Sequence, residues 1–181
     1  MGIEIEKKFT VKKLPDDLEK YPMRVIEQGY LNVTPAIRVR RQDNKYYMTY
    51  KRRKAADDNG SSEGIGQIEY NLPLDEDSYT HLVAKADGNV IRKKRYIIPI
   101  NEDAFDEAFL DKNIDIKDSL EKGSIKIELD VFEAPFEGRI LAEVEFPSEE
   151  AAAAYKPAGW FDSDVTGDYR YSNSQMSMEK I

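Results

Sequence analysis

Residues 1–9 read MGIEIEKKF. Alternation with a period of two marks a half-buried strand, and here Ile3, Ile5 and Phe9 take one side while Glu4, Glu6 and Lys8 take the other. Same-side neighbours on a strand stand only about 7 Å apart, so Glu4 and Glu6 repel unless positive charge lies between them. A fold that uses this strand has to supply that charge, and the rest of the chain shows whether it does.

The pattern recurs. In KYYMTYKRR (45–53), Tyr46, Met48 and Tyr50 share a side and leave Lys51 and Arg53 on the other; in AIRVRR (36–41), Ile37 and Val39 oppose Arg38 and Arg40. In GQIEYNL (66–72), Ile68, Tyr70 and Leu72 oppose Glu69. SIKIELDVF (124–132) sets Ile125, Ile127, Leu129 and Val131 against Lys126, Glu128 and Asp130, and ILAEVEF (140–146) sets Ala142, Val144 and Phe146 against Glu143 and Glu145. VIRKKRYI (90–97) carries charge on both faces, and Lys93 and Arg95, in phase with Ile91 and Ile97, are taken as the set that matters. Acidic pairs at this spacing thus occur three times (Glu4/Glu6, Glu128/Asp130, Glu143/Glu145), and so do basic pairs (Arg38/Arg40, Lys51/Arg53, Lys93/Arg95).

A sheet with one wet face also carries charge there. Such a face mixes in neutral polar residues, however, and like charges placed side by side are disfavoured. Signs sorted strand by strand call for ligands of both signs. Oxygen-only carboxylate pairs suit a hard divalent cation such as Mg²⁺ or Mn²⁺, and Arg and Lys pairs suit a multiply charged anion such as a phosphate chain. A closed barrel with this polar interior turns its apolar side outward, to be covered by helices.

Composition bounds the reading. A chain of 181 residues, 40% hydrophobic and 34% charged, can bury a core, and the simplest organisation is one domain over 1–181. Net charge of −8 argues against general nucleic-acid binding. The absence of cysteine excludes disulfides, zinc–thiolate sites and thiol catalysis. No apolar run approaches the roughly 20 residues needed to cross a bilayer, and the charged opening is unsuited to a secretory signal. No membrane association and a cytoplasmic location are the expectation.

Strands are expected at 2–11, 25–32, 36–42, 45–53, 66–72, 90–99, 124–133 and 138–146, mostly joined by short connections that favour antiparallel neighbours. Asp43-Asn44 makes a hairpin turn. Helices are expected at 15–20, at 76–87 between the cap Asp75 and the stop Gly88, at 102–110 after Asn101, and at 149–156 after Ser148. The stretch AADDNGSSEGIG (55–66) reads as a loop, and the tail SNSQMSMEKI is left unassigned.

EIEKKF resembles the ExExK signature of the CYTH superfamily, the triphosphate tunnel metalloenzymes. The resemblance continues through QGYL (28–31), RVR (38–40), TYK (49–51), the Glu of IEYNL, KKRY (93–96), ELD (128–130), EVE (143–145) and DVTGDYRY (164–171), nearly the whole chain. ExExK alone is weak; these motifs in order are specific. The resemblance implies a mainly β, α+β fold: an eight-stranded antiparallel β-barrel forming a charged tunnel, with a few peripheral helices. The chain most resembles the short bacterial-type inorganic triphosphatases.

That resemblance implies metal-dependent hydrolysis of inorganic tripolyphosphate to pyrophosphate and phosphate, with some activity on nucleoside triphosphates. Lys8, Arg38, Arg40, Lys51, Lys93 and Arg95, with Arg53 and Lys126 as further candidates, would hold the phosphate chain. Glu4, Glu6, Glu128, Asp130, Glu143 and Glu145 would bind Mg²⁺ or Mn²⁺, and Glu4 and Glu6 count among the catalytic groups. Tyr30 and Lys93 would form a dyad that activates water. The expected assembly is a monomer or a homodimer. Two alternatives stay open on the same tunnel, a class IV-type adenylyl cyclase and a thiamine triphosphatase. A third, a non-catalytic polyphosphate- or nucleotide-binding module, gains nothing from six inward carboxylates.

Overall fold

The computed structural model describes residues 2–53 and 66–181. Among them, nine strands form one antiparallel sheet flanked by five short helices. In chain order these are β1 (Gly2–Val11), β2 (Met23–Val33), β3 (Ala36–Gln42), β4 (Lys45–Arg53), β5 (Gly66–Leu74), α1 (Glu76–Val83), β6 (Asp87–Pro99), α2 (Glu107–Leu110), α3 (Ile114–Glu121), β7 (Lys126–Phe132), β8 (Ile140–Phe146), α4 (Glu149–Ala154), β9 (Phe161–Asp164) and α5 (Asn173–Ser177). The sheet order is β5-β4-β3-β2-β6-β7-β8-β1-β9, and β1 pairs with β5 as well. Among the described residues no helix is long and apolar enough to cross a membrane.

Local chemistry explains the element ends. Asp43 takes a left-handed conformation (φ 54°) at the β3–β4 turn, which a short polar side chain tolerates. Its carboxylate accepts from Val25 N at 2.9 Å and its own N donates to the Val25 carbonyl at 2.9 Å, so the turn also pins the start of β2. Asp75 and Ser148 cap α1 and α4, accepting from Ser78 N at 2.7 Å and Ala151 N at 3.1 Å.

The apolar faces of β1, β7 and β8 lie opposite the charges and are covered, whereas Val25 of β2 and Tyr70 and Leu72 of β5 stay exposed. Phe9 of β1, Ile127 and Leu129 of β7, and Ala142, Val144 and Phe146 of β8 pack with Phe105, Ile116 of α3, Ala151 and Ala152 of α4, and Tyr155. Phe9 stacks on Phe161 of β9, ring centroids 4.6 Å apart. The opposite face, carrying the charges, turns apolar at one end. There Tyr30, Ile91, Phe132 and Leu141 receive Met176 of α5. Gly88 (φ +68°) permits this docking, because a Cβ there would lie 2.1 Å from the Ser177 carbonyl oxygen.

Several expectations change. The sheet has nine strands rather than eight, because 161–164 adds to β1. The helix expected at 102–110 shrinks to α2: Asn101 Nδ2 donates to Asp103 Oδ1 and to the Lys156 carbonyl, tying 101–106 to the end of α4. At 15–20 there is only a 3₁₀ turn, Leu18–Lys20. α1 stops at Val83, and Gly88 already belongs to β6. α3 and α5 were not foreseen. The loop expected at 55–66 falls almost wholly outside the described residues.

Candidate active site

Register brings the alternating charges together. β1 against β8 sets Lys8 opposite Glu143 and Glu6 opposite Glu145. β7 against β8 sets Glu128 opposite Glu143, β6 against β7 sets Arg95 opposite Asp130, and β4 against β5 sets Lys51 opposite Glu69. The result is a cavity of about 1100 Å³ lined by Glu4, Glu6, Lys8, Tyr30, Arg38, Arg40, Lys51, Arg95, Glu128, Glu143 and Glu145. The phase chosen for VIRKKRYI is the one found: Lys93 and Arg95 are buried, while Arg92 and Lys94 are exposed.

Most of these charges meet an opposite one. Arg95 donates from Nε and Nη2 to Asp130 at 2.7 Å each, from Nη2 to Glu143 at 2.6 Å, and from Nη1 to Glu128. Lys8 Nζ lies 2.8 Å from Glu143, Lys51 pairs with Glu4, and Lys93 pairs with Asp130. Burial alone would raise the Glu143 pKa, but Lys8, Arg95 and Lys93 outweigh it and hold the carboxylate well below the usual range. Burial dominates at Lys93 and pushes its ammonium down to about 8.

Arg38 and Arg40 are treated differently. Among the described residues, Arg38, 8% exposed, approaches a carboxylate only at 3.9 Å (Glu69), and its Nε has no partner. Arg40, 7% exposed, makes no ion pair among the described residues. Its Nε and Nη2 donate to Gln28 Oε1 at 2.9 and 2.7 Å, and its Nη1 donates to the Tyr47 hydroxyl at 3.4 Å.

On the acidic side, Glu6 and Glu145 have no cation within ion-pair reach among the described residues. Burial first, then the negative charge of Glu4, Glu128, Glu6 and Glu143, pushes Glu145 up to about 7. Crowded hard oxygen donors of this kind fit a divalent cation of the Mg²⁺ or Mn²⁺ class. No three acidic groups among the described residues already converge into a ready-made cage.

Some expected residues sit elsewhere. Lys93 and Asp130 are buried behind the lining, and Lys126 is exposed at the edge of β7. Tyr30 lines the cavity but is not hydrogen-bonded to Lys93; its hydroxyl instead accepts from Gln28 Nε2 at 3.4 Å. Arg53 ends β4, and the expectation for its side chain lies outside the described residues. Glu69, expected on the charged face of β5, lines the cavity, whereas sequence reasoning missed Gln28, Tyr47 and Asn71 as site groups. The signal was present, since each shares the phase of a charged or tyrosine neighbour on its strand, but charge was the only label followed.

Comparison with known proteins places these features. The chain is 33% identical to an inorganic triphosphatase of Nitrosomonas europaea, over 97% of both chains. It is 32% identical to an inorganic triphosphatase of Acetivibrio thermocellus, covering 97% of this chain and 94% of that one. A crystal structure of an inorganic triphosphatase superposes with a TM-score of 0.64 at 29% identity, covering 99% of this chain and 97% of the other. The CYTH domain model matches residues 2–152, and the chain belongs to the CYTH-domain family.

Proposed function

We propose that the cavity is a triphosphate tunnel in which the chain hydrolyses inorganic tripolyphosphate to pyrophosphate and phosphate with a divalent cation. The observation that carries this reading is charge distribution. Among the described residues, Arg40 on β3 has no ion pair and Arg38 only a distant one with Glu69 at 3.9 Å, while Glu6 on β1 and Glu145 on β8 have none. A polyanion bound alone, or a cation bound alone, leaves half of this unsatisfied.

Pairing of β1 with both β8 and β5 supports a closed barrel of eight strands, with β9 appended to β1. The sheet and its helices are then one domain built around the tunnel. In it, Arg38 and Arg40 bind and orient the phosphate chain, and Lys8 and Lys51 exchange their carboxylate partners for phosphate oxygens as it enters. Arg95 fixes Glu128 and Glu143, with Asp130 and Lys93 as its backing. Glu4, Glu6, Glu128, Glu143 and Glu145 would hold Mg²⁺ or Mn²⁺, which polarises a phosphoryl oxygen and acidifies water. Tyr30 places a hydroxyl at the cavity wall where it can orient a water or a phosphoryl oxygen.

A second reading, hydrolysis of nucleoside triphosphates, is favoured by Tyr46, Tyr47, Pro73 and Leu74. They line the cavity at the strand ends and offer an organic group a surface there. The deciding experiment measures phosphate release from tripolyphosphate, pyrophosphate, ATP and thiamine triphosphate, each with Mg²⁺, Mn²⁺ or chelator. Tripolyphosphate is expected to be the best substrate and pyrophosphate a poor one. Undiminished turnover in chelator would overturn the role of the cation.

A further inference from the structure

Arg40 is anchored unlike the other cations of the cavity. Arg95 gives every guanidinium nitrogen to a carboxylate, Lys8 is held by Glu143 and Lys51 by Glu4. Arg40 presents the same two-pronged fork, Nε and Nη2, to a neutral amide oxygen. The residue supplying it, Gln28, is completely buried on β2, directly across the register from Arg40.

The alternative acceptor is one atom away. A glutamate at 28 would have the same reach and would receive the same fork in the bidentate geometry that guanidinium and carboxylate prefer. It would also supply a counter-ion to a buried charge, and a buried charge without one is costly. Stability alone therefore favours the acid. The amide gives up that stabilisation and leaves the charge of Arg40 uncancelled. Burial, Arg38 and Arg95 together lower the Arg40 pKa, so an entering anion relieves repulsion there. The same amide orientation turns Gln28 Nε2 toward Tyr30, so that the Tyr30 hydroxyl accepts at 3.4 Å and keeps its own proton for the cavity.

We propose that Gln28 is a positioning residue: its amide oxygen fixes the Arg40 guanidinium without neutralising it, so that Arg40 and Arg38 together form the anion-docking part of the cavity. The inference rests on the anion-binding reading given above and adds the residue that keeps it possible.

The test titrates inorganic tripolyphosphate calorimetrically into wild-type protein, Gln28→Glu and Gln28→Met, without added divalent metal so that nothing is turned over. Thermal unfolding of each variant is followed in parallel. Gln28→Glu is expected to raise Kd at least about tenfold while its unfolding midpoint stays level or rises. Gln28→Met keeps neutrality but removes the acceptor, and should raise Kd by a smaller factor while lowering the midpoint. A purely structural role predicts that affinity follows stability in both variants, the opposite ranking. Wild-type affinity in Gln28→Glu overturns the proposal. Should that variant fail to fold, Gln28→Met decides: wild-type affinity there overturns it, weakened binding by protein that is fully folded at the titration temperature supports it, and a loss that appears only as the protein unfolds overturns it. If wild-type protein itself does not bind tripolyphosphate, the anion-binding reading fails and takes this inference with it; a wild type that binds while both variants match it defeats the role of Gln28 alone.

Discussion

Lys93 and Asp130 form an ion pair whose side chains are 0% and 1% exposed. Arg95 reaches the same carboxylate with two nitrogens at 2.7 Å. Burial would raise the Asp130 pKa, but Arg95 and Lys93 outweigh it and keep the group ionised. Removing one partner from a buried pair strands the other, at a cost of about 3–5 kcal/mol. Asp130→Asn is therefore expected to lower the unfolding free energy by about that amount, read from urea denaturation. A loss under about 1 kcal/mol would mean that Arg95 and Lys93 find other counter-ions.

Truncating the free cation should weaken substrate capture. Arg40→Ala is expected to lower kcat/KM for tripolyphosphate at least about tenfold, roughly 1.4 kcal/mol of barrier. The loss should lie mainly in KM if Arg40 docks the ground-state chain, and in kcat if it serves the transition state. Steady-state kinetics on the purified variant separate the two.

Glu6 and Glu145 face each other in register without a cation partner among the described residues. Glu6→Gln is expected to lower activity at least about tenfold and to raise the Mg²⁺ concentration needed for half-maximal rate. Because it also removes a like charge beside Glu145, the metal-free variant should be no less stable than wild type. Metal titrations and thermal unfolding in chelator check both halves.

On the outer side of the sheet, Glu27 accepts from the Tyr79 hydroxyl at 2.9 Å and from Arg92 Nε at 2.7 Å, fastening α1 to β2 and β6. Burial would raise the Glu27 pKa, yet these contacts bring it below the ordinary 4.5. A lowered carboxylate pKa contributes stability that is fully present above pH 4.5 and disappears as pH falls through the folded value. The stability gap between wild type and Glu27→Gln should therefore close on acidification below pH 4.5, as measured by denaturant melts at a series of pH values.

Met176 is completely buried against Tyr30, Ile91, Phe132 and Leu141. Met176→Ala is expected to leave a cavity in this cluster and to lower the unfolding free energy by about 2–5 kcal/mol. A crystal structure or denaturant melt of the variant would register the change.

Strand positions and the charged face were legible because period-two alternation is a local signal, read within one strand at a time. In β1, β3 and β8 the expected faces are the observed ones, down to Glu4, Arg38 and Glu143. What failed depended on long-range contacts. α5 is five residues long and is held by Met176, by Gly88 and by Asn89 donating to the Glu179 carbonyl at 2.7 Å, none of it visible in SNSQMSMEKI. α2 lost its first turn to a hydrogen bond with Lys156, far along the chain. The withdrawal of Lys93 and Asp130 from the lining could not be read either, because alternation gives a side but not a depth.

β1 is bordered by β5, β8 and β9, so all its partners lie far along the chain from it. Pairings so distant in sequence slow folding and prolong the exposure of unpaired edges. Ile5 and Phe9 therefore meet their β8 partners, Phe146 and Ala142, only after β8 has been made, and closure of the β1–β8 seam is expected to be a late step of folding.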